Sequence, residues 1–127
     1  MKDIYEQIKN MSVEEFVETF LSSFIIYLKK QEKTKAIYKS IFNEPVDYKT
    51  LYSLIPSLDE DDISFILKYD KDYSISFLLS LVDVADEDDL TKQAIYLIKR
   101  HNLNYILPLL PFINEDEIRQ FYKKKAS

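Results

Sequence analysis

Apolar residues recur along this chain every three or four positions, in runs separated by short polar breaks. Phe16, Phe20, Phe24 and Leu28 stand on one line with Val17, Leu21 and Ile25 beside it, which predicts a helix from Val13 to about Lys30 whose stripe is core. Ser12, followed three residues later by Glu15, supplies a capping box for its start. Before it, Ile4, Ile8 and Met11 share one side of a short helix over 2–10, ended by Asn10, a residue that tolerates the left-handed conformation. The polar stretch 29–35 predicts a corner, and Ala36 to Phe42 a further helical piece closed by Asn43 and Pro45. Asp47 caps a short helix after that.

From there the pattern repeats. DEDDI at 59–63 returns as DEDDL at 86–90 and as NEDEI at 114–118, at spacings of 27 and 28 residues. Asp59, Asp86 and Asn114 each offer a short side-chain oxygen to the unpaired N–H groups of a helix start. Asp62, Asp89 and Glu117, three residues on, make a looser capping box, and the acids between favour the positive end of the helix dipole. An apolar stripe follows each cap: Ile63, Ile66, Leu67; Leu90, Ala94, Leu97, Ile98; Ile118, Phe121, Tyr122. The runs before the caps match too, with Leu54-Ile55, Leu81-Val82 and Leu109-Leu110 at one offset and Pro56 and Pro111 at another. The unit is a short apolar helix, a tight corner, then a capped amphipathic helix, and one such unit cannot bury its own apolar face. That both helices and the corner recur together favours a repeat over three independent capped helices. Residues 68–74 are the clearest loop, Asn102 and Asn104 offer cap chemistry, Pro108 sits in a first helical turn, and the terminal KKKAS is expected to fray.

The 127 residues suit one domain, read as N-terminal helices over 1–46 and helical-hairpin repeats over 47–127. The absence of glycine excludes phosphate-cradling loops, dinucleotide fingerprints and nucleophile elbows, and points to a helical chain. The absence of cysteine excludes disulfides, thiol chemistry and cysteine-ligated zinc, and fits a cytoplasmic setting. The first ten residues lack signal-peptide form, and the apolar stretch 20–28 is under half of the ~20 residues needed to span a bilayer. Charge is segregated: residues 1–28 carry net −3, 29–49 +3, 50–97 −8 and 98–127 +3.

Candidate chemistry is sparse. Asp70, Asp72 and Ser74 imitate the start of a calcium loop, but Ile75 and Leu81 stand where glycine and glutamate are required. His101, the single histidine, continues an apolar line near a helix C-terminus; no serine or acid stands at a diagnostic local spacing to make it a general base. Lys29, Lys30, Lys33, Lys35 and Lys39 with Tyr27 and Tyr38, and Lys123–Lys125 with Tyr122, form two basic clusters. A net charge of −5 and no reader motif argue against direct nucleic-acid binding. In a stacked array the capped starts line one acidic edge. That edge is Asp59, Glu60, Asp61 and Asp62, then Asp86, Glu87, Asp88 and Asp89, then Glu115 and Asp116.

The units 51–69, 77–100 and 105–124, with the apolar-proline corner and acidic cap of LLPFINEDEI at 109–118, resemble HEAT-like helical-hairpin repeats. The resemblance implies a binding scaffold and transfers no functional residue. The fold class expected is all-α, a compact array of eight or nine short helices with the C-terminal half as stacked hairpins. The expected function is a non-enzymatic protein–protein interaction module, an adaptor or small inhibitor, with no cofactor, metal or membrane. Two other classes stand beside it: an acidic nucleic-acid mimic that blocks a DNA- or RNA-binding protein, and a small hydrolase or metal enzyme on His101. Terminal units of an array expose apolar surface, which leaves self-association open.

Overall fold

The structure, a computed structural model, describes residues 6–7 and 9–126. All regular structure in them is helical. Seven α-helices are delimited: α1 (Val13–Ile41), α2 (Tyr48–Leu54), α3 (Glu60–Leu67), α4 (Ile75–Leu79), α5 (Glu87–Arg100), α6 (Leu103–Ile106) and α7 (Glu115–Ala126). Two 3-10 segments, Ile55–Ser57 and Leu107–Phe112, join them. No helix among the described residues is long and apolar enough to cross a membrane. The chain divides into two compact units, Met1–Lys35 and Ala36–Ser127.

In the first unit, residues 6–7 and 9–10 are helical, while Ile4 and Ile8, on which the sequence places the stripe of that helix, lie outside the described residues. Ser12 caps α1 by accepting from the Glu15 N–H (3.1 Å). The helix then runs through the polar stretch 29–35, where a corner was predicted. That stretch is polar but contains no proline or glycine, and Lys, Gln and Glu are good helix formers. Polarity there marks a solvated face, and the Thr34 hydroxyl folds back to donate to the Lys30 carbonyl (3.0 Å). The stripe is the larger correction: Phe16, Val17, Phe20, Leu21, Phe24, Ile25 and Leu28 are exposed, not core.

The second unit holds the core. Among the described residues every buried hydrophobic lies at Ile37 or beyond. The last turn of α1 contributes Ile37 and Ile41. Two of the predicted stripes are buried, Ile63, Ile66 and Leu67 on α3 and Leu90, Ala94, Leu97 and Ile98 on α5; of the third, on α7, Ile118 is buried, Phe121 is half-buried and Tyr122 is exposed. Helix α5 is the centre, packing against α3, α6, α7 and the Leu107–Phe112 segment, which also receives α4. Three acids in its first turn and Lys99 and Arg100 in its last match the helix dipole at both ends.

The corners work without glycine because none uses a left-handed residue. No described residue has a positive φ, Asn10 included. Proline makes two of the corners by tightening the chain into the 3-10 segments that contain Pro56 and, in the last unit, Pro108 and Pro111. The cap residues Asp59, Asp86 and Asn102 then turn extended to begin the next helix. In the middle unit, where Asp83 replaces proline, hydrogen-bonded turns over residues 80–84 do the same. Helix α7 extends through the lysines to Ala126, where fraying was expected.

Truncating Leu97 to alanine empties a fully buried site at the centre of this core. The expected cost is about 2–5 kcal/mol in urea unfolding. Phe20→Ala, on the exposed stripe, is expected to move the same transition by less than about 0.5 kcal/mol. Near-UV dichroism reads this unit, since eight of the ten tyrosines lie in it.

Candidate functional site

Asp59, Asp86 and Asn114 cap their helices as the repeated sequence predicts, but the box expected of Asp86 with Asp89 does not form, since Asp86 accepts from Asp88 and Asp89 from Ser64. Asp59 accepts from the Asp62 N–H (2.9 Å) while Asp62 accepts from the Asp59 N–H (3.0 Å), a reciprocal capping box. Asp86 accepts from the Asp88 N–H (2.8 Å) and Asn114 from the Glu117 N–H (3.2 Å). Each cap stabilises its helix by about 1 kcal/mol. The starts also succeed one another in space. Glu60 and Asp86 line one cleft of about 230 Å³ with Ser64, Val84 and Ala85, and the Ser64 hydroxyl donates to Asp89 (3.2 Å). The backbone N–H of Asn114 donates to the buried Thr91 hydroxyl (2.9 Å), tying the start of α7 to the second turn of α5.

Of the ten acids proposed for this edge, Asp62 is buried within its box and Asp89 is half-buried against Ser64, so these two serve the fold. Asp59 and Asp86 are exposed, but their carboxylates hold caps. Glu60, Asp61, Glu87, Asp88, Glu115 and Asp116 are exposed. Glu115 lies 3.7 Å from Arg119 on the next turn. Both flank an apolar groove of about 550 Å³ floored by Leu103, Leu110, Ile118 and Tyr122.

A second cluster was not legible at any local spacing. Asp72, in the 68–74 loop, receives Nε2 of His101 on one oxygen (2.7 Å) and faces Nε of Arg100 with the other (3.7 Å). A carboxylate only accepts, so Nε2 carries a proton and donates to it. The His101 ring stacks on Tyr105 with centroids 4.0 Å apart. Asp72 thus pins the loop to the end of α5, and Ser74 caps α4. A cleft of about 640 Å³ opens beside this clamp, lined by Tyr48, Asp70, Lys71, Asp72, Tyr96 and Arg100 among others.

The loop is bound on every side. Gln93 donates to the Lys71 carbonyl (2.7 Å), Tyr73 to the Ile66 carbonyl (3.0 Å), and the Ser74 N–H to the Tyr48 hydroxyl (2.8 Å). The Tyr105 hydroxyl reaches the Tyr73 carbonyl (3.4 Å). Burial raises the Tyr73 phenol well above its ordinary range, with Tyr48 and Tyr69 adding to the effect. Burial, then the Asp72 charge, raises that of Tyr105. The signal that could have found this cluster is the pairing of the only histidine with an acid 29 residues earlier, close to the repeat period.

No protein-family model, curated protein or solved structure matches the chain.

Spectrophotometric titration at 295 nm is expected to show Tyr73 and Tyr105 ionising above the ordinary tyrosine range. Because both phenols are raised, their neutral forms support the fold below the ordinary tyrosine value of about 10. That support is lost as pH climbs through the raised values, so unfolding should accompany the late step. Tyr105→Phe is expected to remove one late proton and leave the other.

Proposed function

We propose that this protein is a non-enzymatic interaction module, an adaptor or small inhibitor, that grips a protein partner with the acidic edge of its second unit. The observation that carries the reading is the succession of the three capped starts. Glu60 and Asp86 share one cleft, and Asn114 is bound to Thr91. Carboxylates spaced along neighbouring helix starts concentrate negative potential, which steers a basic partner into contact. The repeat of corner and cap supports reading the C-terminal half as stacked, HEAT-like hairpins, with α5 shared between neighbours. A chain without cysteine suits a cytoplasmic setting.

The same succession of acids supports a second reading, a mimic of the phosphate backbone that occupies the basic groove of a nucleic-acid-binding protein. A hydrolase built on His101 ranks below both, because Asp72 is held by Arg100 and His101 in the manner of a clamp.

Affinity capture from lysate of the source cell distinguishes these readings. The tagged chain is compared with a variant carrying Asp61→Lys, Glu87→Lys, Asp88→Lys and Asp116→Lys, all exposed and none a cap side chain. A stoichiometric protein retained after nuclease and lost with the reversed variant is expected. Capture undiminished by the reversal rejects the acidic edge. A partner displaced by added DNA or RNA moves the mimic to first place, and activity abolished by His101→Ala would restore the enzyme.

A further inference from the structure

We propose that the first unit docks onto a second copy of this chain, α1 against α1 and antiparallel, through the row Phe16, Phe20, Phe24 and Leu28. The row is exposed, as are all residues of α1 from Val13 to Glu32, with Phe20 59% and Phe24 48% exposed. Its rings are already ordered against one another, with centroids 6.3 Å apart from Phe16 to Phe20 and 6.2 Å from Phe20 to Phe24, both stacked. Large contiguous apolar surface of this kind marks an interface.

Area, charge and register on this helix name the occupant. With Val17, Leu21 and Ile25 alongside, and each side chain roughly half exposed, the face presents on the order of 600–700 Å². A stable interface needs about 600–1,000 Å² per partner, so two copies of this face suffice without help from elsewhere. Charge decides the direction. Glu14, Glu15 and Glu18 hold the start of the helix, and no base appears before Lys29, Lys30 and Lys33. Two parallel copies set acid against acid and lysine against lysine, whereas two antiparallel copies set each acidic start beside a basic end. The row is also close to its own reverse. Centred on Ser22, Phe20 falls level with the partner copy's Phe24 and Phe16 with its Leu28. In that register Glu14 and Glu15 fall level with Lys30 and Lys29 along the axis.

The same charges count against a lipid surface as the occupant. Helices that lie in a membrane interface carry lysine and arginine on their polar face. Here the polar residues flanking the first half of the row are Glu14, Glu15, Glu18, Thr19, Ser22 and Ser23.

Sedimentation equilibrium of the full chain, up to about 100 µM, is expected to show a dimer. Phe20→Asp with Phe24→Asp is expected to weaken it at least about tenfold. The near-UV signal of the second unit should be unchanged, since neither residue belongs to its core. The direction is read with a spin label on Lys30→Cys, the only thiol in a chain that has none. Antiparallel copies place the two labels about 24 Å apart along the axis; parallel copies place them roughly 10 Å apart. A wild-type monomer throughout the range, a dimer indifferent to the double substitution, or the short distance each overturns the proposal. So does a monomer that binds phosphatidylcholine vesicles through Phe20 and Phe24. Reversal of Glu87 and Asp88 should leave the dimer intact, so this proposal and the acidic edge stand or fall separately.

Discussion

The second unit depends on how one glycine-free loop is satisfied. Between Lys68, whose N–H still bonds α3, and Ser74, whose carbonyl already accepts from α4, the chain crosses with no helix or sheet to pair its backbone. A buried backbone group without a partner costs about as much as a lost hydrogen bond. Here side chains from three helices answer it. Gln93 on α5 takes the Lys71 carbonyl, Tyr48 on α2 takes the Ser74 N–H, and Tyr105 on α6 approaches the Tyr73 carbonyl. Tyr73 itself is fully buried and returns a bond to the end of α3. The loop is therefore a joint between helices, and its polarity is the means of joining. Asp72 completes it from outside by holding Arg100 and His101 at the C-terminus of α5.

Around that joint the capped starts have two duties. Asp59 with Asp62, Asp86 and Asn114 supply hydrogen bonds that begin α3, α5 and α7. Their neighbours Glu60, Asp61, Glu87 and Asp88 are left exposed. A sequence that starts its helices with acid thereby leaves carboxylates exposed at no extra cost in length. Which acids belong to the fold and which to the surface follows from the bonds, and Asp62 and Asp89 show that adjacent positions divide differently.

The first unit follows another rule. Its helix carries as regular an apolar stripe as any in the chain, yet no residue of it before Ile37 is buried. Amphipathic periodicity reports that a face seeks cover; it does not say from where. A core covers such a face from within the chain, and an interface covers it from outside.

Local rules determined a good part of this protein. Helix class, the caps at Ser12, Asp47, Asp59, Asp86 and Asn114, the proline corners and the buried stripes of α3 and α5 all depend on residues within a turn or two of each other. What only the tertiary structure decided lies at longer range. The continuity of α1 through residues 29–35 could not be read from polarity, since a solvated helix and a corner are written with the same residues. The joint at 68–74, the Asp72–His101 pair and the exposure of the Phe16–Leu28 row depend on which elements come to lie beside them. Periodicity along one helix carries no record of its neighbours, so those contacts are set by packing alone.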